Sequence, residues 1–164
     1  MDKETWARLS RLESQDAVGR AYQILHGRNL NAARAKQIMA SARQAREYFR
    51  NANSADVSVR PLLAFYGVSG LARACVLLLG KHSGEASLTP GHGLRTIEWR
   101  QALSSNLSDG LTSLAGLRVL SCRGLFSDLV FHTNNLVCCH VSSGAVDWHV
   151  ELPHALAAQR EGRL

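Results

Sequence analysis

Gln44-Ala-Arg-Glu-Tyr-Phe-Arg-Asn-Ala52, then Pro61-Leu-Leu-Ala-Phe-Tyr-Gly-Val-Ser-Gly-Leu-Ala-Arg-Ala74 and, after a short interval, His92-Gly-Leu94, form the stretch of this chain that decides its fold. In the long helix that the first segment ends, Ile38, Ala42, Ala45, Phe49 and Ala52 recur three and four residues apart, the spacing of one helix face. Asn29 or Asn31 is the expected cap, and Asn53-Ser54 the expected end. Pro61 suits a first helical turn, where no backbone donor is needed, so a further helix is predicted from about Ser58 to Gly80. Between Pro61 and Gly80 its only charge is Arg73, and a helix apolar nearly all round reads as the central core element. Gly67, Gly70 and Ala74 would let a neighbouring helix approach closely, while Arg73 needs a partner or must reach the surface.

Working towards the N-terminus, Gln15 to His26 carries Val18, Tyr22 and Leu25 on one face, with Ser14 as its cap and Gly27 as its stop. Trp6, Leu9 and Leu12 mark a shorter helix from Thr5 to Leu12. Towards the C-terminus, Gly84 to Gly93 is a loop by composition and Leu94 to Leu103 is expected to form a short helix. Leu117–Ser121, Leu129–His132, Leu136–Val141 and Val146–Leu152 read as β-prone runs divided by turn signals. The expected class is α+β, mainly α: a helical bundle over residues 1–103 followed by a small antiparallel β appendage over 104–164. The two are expected to form one compact unit, since 164 residues with 46% apolar content bury a real core.

The formal charge of +6 is uneven. Residues 1–50 hold a balance of +5 and the remaining residues +1. Lys36, Arg43, Arg46 and Arg50 fall along one side of the long helix, with only Glu47 between them to pair. The plain reading is a solvated face. The sharper one is a surface for phosphates or an acidic partner, giving RNA, DNA or protein as expected partners.

His92, between Gly91 and Gly93, is the candidate acid or base, and Arg73 or Arg95 the candidate phosphate clamp, of a catalytic reading; a hydrogen-bonding role for His92 is the plainer one. Metal and cofactors are not expected. Cys138, Cys139 and His140 are consecutive, so strand alternation sends neighbours to opposite faces. Cys75 and Cys122 show no CxxC pattern, and reduced packing thiols in a cytoplasmic protein are the simpler reading. No secretory signal is read in Met1-Asp-Lys-Glu-Thr-Trp6, and the apolar run 62–79 is diluted by Arg73, Gly67, Ser69 and Gly70, so no membrane association is expected.

Trp6–Ser14, Gln44–Ala52, Pro61–Gly67, Leu71-Ala72, His92-Gly-Leu94 and Arg123-Gly-Leu-Phe-Ser-Asp-Leu129 together resemble the YaaC-like family, whose helices are in turn similar to those of the HEPN superfamily. Phe65 stands where the family pattern has a tyrosine, and family members often continue beyond the position of Pro153-His154. The resemblance implies a HEPN-like bundle, a bacterial cytoplasmic setting, a link to stress or phage defence, and a homodimer or a subunit of a larger assembly. Catalytic HEPN proteins are metal-independent ribonucleases with an Arg, four to six residues, then His. Arg20 and His26 match that spacing, but 16 arginines and 7 histidines supply such a match by chance, and it lies in an early helix. A binding module is therefore the leading expectation, with a ribonuclease and a structural subunit behind it.

Overall fold

The computed structural model describes residues 3–81, 84–97, 99, 118–133, 141–143, 146–148 and 150–151. They are mainly helical, and the chain divides into two compact units, Met1–Thr89 and Pro90–Leu164.

In the first unit, α1 (Lys3–Leu9) runs into a 3-10 turn, Ser10–Glu13, and then α2 (Gln15–His26), α3 (Ala32–Ser54) and α4 (Arg60–Leu79) follow. Local chemistry sets the limits. Ser14 Oγ accepts from the Ala17 amide at 3.4 Å and Asn31 Oδ1 from the Ala33 amide at 2.7 Å, so each serves an amide that its helix leaves unpaired. Gly27, at φ +67°, closes α2 in the left-handed cap that glycine adopts without strain.

The core is the seam of α2, α3 and α4: Val18, Ile38, Ala42, Ala74 and Leu77, with Leu12, Leu30, Met39, Leu78 and Leu88 packed around it. Fully burying side chains such as Ile38 and Leu77 stabilises by about 1.5–3 kcal/mol each. The small residues of α4 do what their spacing predicts. A Cβ on Gly67 would lie 2.9 Å from the Phe49 ring, and one on Gly70 3.2 Å from Ala45 Cβ and Ser41 O.

The expectation that α4 is core all round is corrected. Its C-terminal half is buried at Ala72, Ala74, Val76 and Leu77, but Leu62, Phe65, Tyr66 and Val68 nearer its start are 43 to 59% exposed. By length and composition alone α4 is also long and apolar enough to cross a membrane. An all-apolar helix has no polar stripe to mark its solvent side, so periodicity could not find this face. Arg73 resolves its own difficulty in both ways at once, being half exposed and 2.8 Å from Glu85.

At the start of α4, Asp56 Oδ1 accepts from both the amide and the hydroxyl of Ser58, at 2.9 and 2.8 Å. These bonds hold its carboxyl below the usual range. A depressed carboxylate adds stability above its unfolded value and loses it as pH falls through the folded one. An NMR titration is accordingly expected to place the Asp56 midpoint below that of an ordinary aspartate, with the amides of Ser58 to Arg60 losing protection as it protonates.

In the second unit β1 (Leu94–Ile97) runs antiparallel to β2 (Arg118–Ser121), and β2 lies parallel to β5 (Val150–Glu151). A separate pair joins β3 (Val141–Ser143) to β4 (Val146–Trp148). Two expectations fail here. Leu94 opens a strand, not a helix, and Leu129–His132 belongs to α5 (Leu125–His132), not to a strand. Most of the Leu136–Val141 run, Cys138, Cys139, His140, His149 and His154 lie outside the described residues.

Candidate functional site

Arg43, Arg46 and Arg50 stand three and four residues apart on the outer side of α3, and the fold does bring them together. Lys36 is exposed on the same helix, about 10 Å from Arg43 at the usual rise. Glu47 bonds Arg50 at 2.5 Å and lies 3.6 Å from Arg46. A second carboxylate enters from outside the helix: Glu13, at the end of the 3-10 turn, accepts from Arg46 Nε at 2.7 Å and Nη2 at 3.1 Å, and lies 4.0 Å from Arg43. The reading that Glu47 alone serves this face is corrected. Glu13 is distant in sequence, and periodicity within α3 carries no trace of it.

The same docking lays α1 beside α3. The Trp6 and Phe49 rings meet edge to face at 5.6 Å. Between the two helices is an open groove of about 810 Å³ lined by Trp6, Ser10, Arg46, Phe49, Arg50 and Asn53. Arg50 is 71% exposed and Arg46 44%, so both guanidiniums reach solvent at its rim while the aromatic edges form its wall. Such a groove can hold an anionic group at Arg50 and a flat ring against Trp6.

The other candidates are placed as follows. Arg73 belongs to the first unit, where Glu85 engages it. His92 and Arg95 belong to the second. His92 Nδ1 accepts from the Leu94 amide at 3.1 Å, which assigns the proton of the neutral ring to Nε2. Arg95 is exposed on β1, opposite Leu120 of β2. Of the chance-level Arg20 and His26 match, Arg20 is exposed and His26 is engaged in structure, with Nε2 2.9 Å from the Leu78 carbonyl and its ring 4.2 Å from that of Tyr22. Among the described residues no group of three His, Cys, Asp or Glu is set to hold a metal ion. Burial pushes the Cys75 thiol up, which lowers its thiolate fraction and its reactivity.

Two polar features escaped sequence reasoning. Arg34 lies within the apolar stripe of α3, is 8% exposed, and clamps the C-terminal end of α4: Nε and Nη2 donate to the Leu77 carbonyl at 2.8 and 2.5 Å, and Nη2 also to that of Gly80. Its Nη1 donates to Tyr22 Oη at 3.3 Å, and Tyr22 donates to the Lys81 carbonyl at 3.0 Å. Burial pulls the Arg34 guanidinium below its usual value, and it remains a cation where the helix dipole favours one. Its position four residues before Ile38 on the buried face was the available signal.

The second feature joins two motifs some thirty residues apart. The Leu125 and Phe126 amides donate to the carbonyls of Gly91 and His92, both at 3.0 Å, and the Cys122 amide to that of Gly93 at 2.8 Å. Gly93 and Gly124 thus cross with backbone against backbone, and Ser127 Oγ fixes Gly124 from below, accepting from its amide and donating to its carbonyl.

A family model described as YaaC-like Protein matches residues 8–137, which takes in α2 to α5 and the crossing of these two turns. No curated protein and no solved structure matches the chain.

Proposed function

We propose that this chain, which belongs to the YaaC-like family, is a binding module for nucleic acid, engaging it through the groove between α1 and α3. The observation that carries this reading is the pairing of exposed guanidiniums with aromatic edges in one groove, Arg46 and Arg50 beside Trp6 and Phe49. Phosphates and bases ask for that combination: cations track the backbone, and a ring face accepts any base. We read the helices of the first unit as a HEPN-like bundle, with the β-rich stretch of the second as its appendage. The antiparallel packing of α3 on α4 and the short connection at Asp56–Val59 support the first part of that reading.

Two arginines contacting a single strand imply a slope of about −1.4 in log affinity against log salt. Fluorescence anisotropy with short RNA and DNA strands at low and moderate salt tests it. Arg46→Glu/Arg50→Glu is expected to weaken binding by at least about tenfold and flatten the salt slope, and Trp6→Ala to weaken it by about 1–3 kcal/mol at any salt. Affinity unaltered by the double arginine change would discard this groove as the site.

A further inference from the structure

We infer that the groove between α1 and α3 takes one unpaired base of a single strand and that Asn53 reads it as adenine; this rests on the nucleic-acid reading of that groove. Arg46, Arg50 and Asn53 stand four and three residues apart on one side of α3, and all three line the groove. Asn53 therefore lies about 4.5 Å beyond Arg50 along the helix axis. Its carboxamide is exposed and has no hydrogen-bond partner among the described residues. The helix end does not need it: the Asn51 carbonyl accepts from Ser54 Oγ at 3.2 Å, the Ala55 carbonyl from Arg60 Nη2 at 3.0 Å, and Ala55 is the cap. Asparagine is also a poor helix former, so this one adds nothing to α3 and leaves a donor and an acceptor side by side on the groove wall.

Chemistry selects the ligand. A base inside a duplex is stacked on both faces and paired along its edge, so only an unpaired one can lie on Trp6. The edge-to-face contact with Phe49 takes up at most one face of the indole. Adenine presents an N6 donor beside an N7 acceptor, which a carboxamide meets with two bonds. Guanine presents two acceptors there, N7 and O6, and sets O6 against the amide oxygen. Its usual partner is a whole arginine fork. Neither fork here is whole, because Glu13 holds Nε and Nη2 of Arg46 and Glu47 holds Nη2 of Arg50. Their remaining donors suffice for a phosphate. Pyrimidines cover less of the indole than a purine does.

Fluorescence anisotropy of the full chain tests this with short uridine-rich strands that carry one central adenine, guanine or 7-deazaadenine. The adenine strand is expected to bind at least about fivefold tighter than the guanine strand, and loss of N7 to remove most of that gain. Asn53→Ala should bring the adenine and guanine strands to one affinity, with the salt slope and the far-ultraviolet circular dichroism of the parent. Equal affinity of the parent for the two strands, a preference that Asn53→Ala keeps, or a complementary duplex bound as tightly as the adenine strand overturns the inference. If Arg46→Glu/Arg50→Glu still weakens binding in those cases, the groove stands as the nucleic-acid site and only its base reading falls. Binding to none of the strands ends both.

Discussion

Replacing Arg34 with Met is expected to destabilise the first unit by about 3–4 kcal/mol, lowering its melting temperature by more than about 10 °C. Met keeps much of the apolar stem, so little volume is lost and the effect isolates the guanidinium. The carbonyls of Leu77 and Gly80, at a helix end that supplies them no partner, would be left without their donors. Each unsatisfied buried group costs about 1–3 kcal/mol. Removing a buried cation also removes its desolvation cost, which offsets part of the loss; replacement of a buried charge is neutral only when its partners are replaced too, and here they are backbone. Arg34→Lys retains the charge at the C-terminal end of α4 and a bond to one carbonyl, so it should lose about half as much. Denaturant unfolding of both variants checks the order. A Met variant within about 0.5 kcal/mol of the parent would mean that the clamp does not hold α4.

The second large effect is expected at Gly124. Its φ of +152° lies in a region that residues with a side chain rarely adopt, and a Cβ there would overlap the amide nitrogen and Cα of Gly93. Neither neighbour is a flexible side-chain tip, so the two turns must separate and the bonds donated by Cys122, Leu125 and Phe126 must break or lengthen. Backbone strain of about 1–3 kcal/mol and about 1 kcal/mol for each bond lost together give about 4 kcal/mol for Gly124→Ala. Gly93→Ala meets its nearest atoms at 3.1 Å and should cost less. Gly91→Ala, at φ +87° with nothing within 4 Å, should cost only its conformational strain. Hydrogen exchange at the amides of Cys122, Leu125 and Phe126 reads the series directly. Equal exchange in the Gly124 and Gly91 variants would remove the crossing as the cause.

How far the fold could be read from residues alone depended on whether a signal was local. Ser14, Gly27 and Asn31 mark the helix limits that the structure has, because a cap acts within its own turn. Ile38, Ala42, Ala45 and Ala52 are buried as their spacing required. Leu129–His132 misled because a four-residue run, three of them apolar, carries no measurable period, and a strand and a buried helical turn look the same at that length. Arg43, Arg46 and Arg50 were legible as a cluster, yet their net field was not, since Glu13 belongs to a different element. Arg34 was hidden in plain view by alanines on either side, in a stripe where a charge reads as an exception and not as a clamp. The meeting of His92-Gly-Leu94 with Arg123-Gly-Leu125 is a tertiary fact between segments that no helical or strand spacing connects.

The fork formed by Glu13 and Arg46 also makes the groove an occupied one. Glu13 is a resident anion, tethered by the 3-10 turn and only 16% exposed, and it already holds the geometry that an incoming phosphate would need. A tethered competitor acts at a high effective concentration, about millimolar for a short link, without any second molecule being present. A weak anion therefore meets Arg50 and goes no further. On the reading of the groove as a binding site, a polyanion that reached Arg46 would first have to turn Glu13 out, which would loosen the seat of α1 on α3 and make ligand capture and release of the N-terminal helix two sides of one exchange.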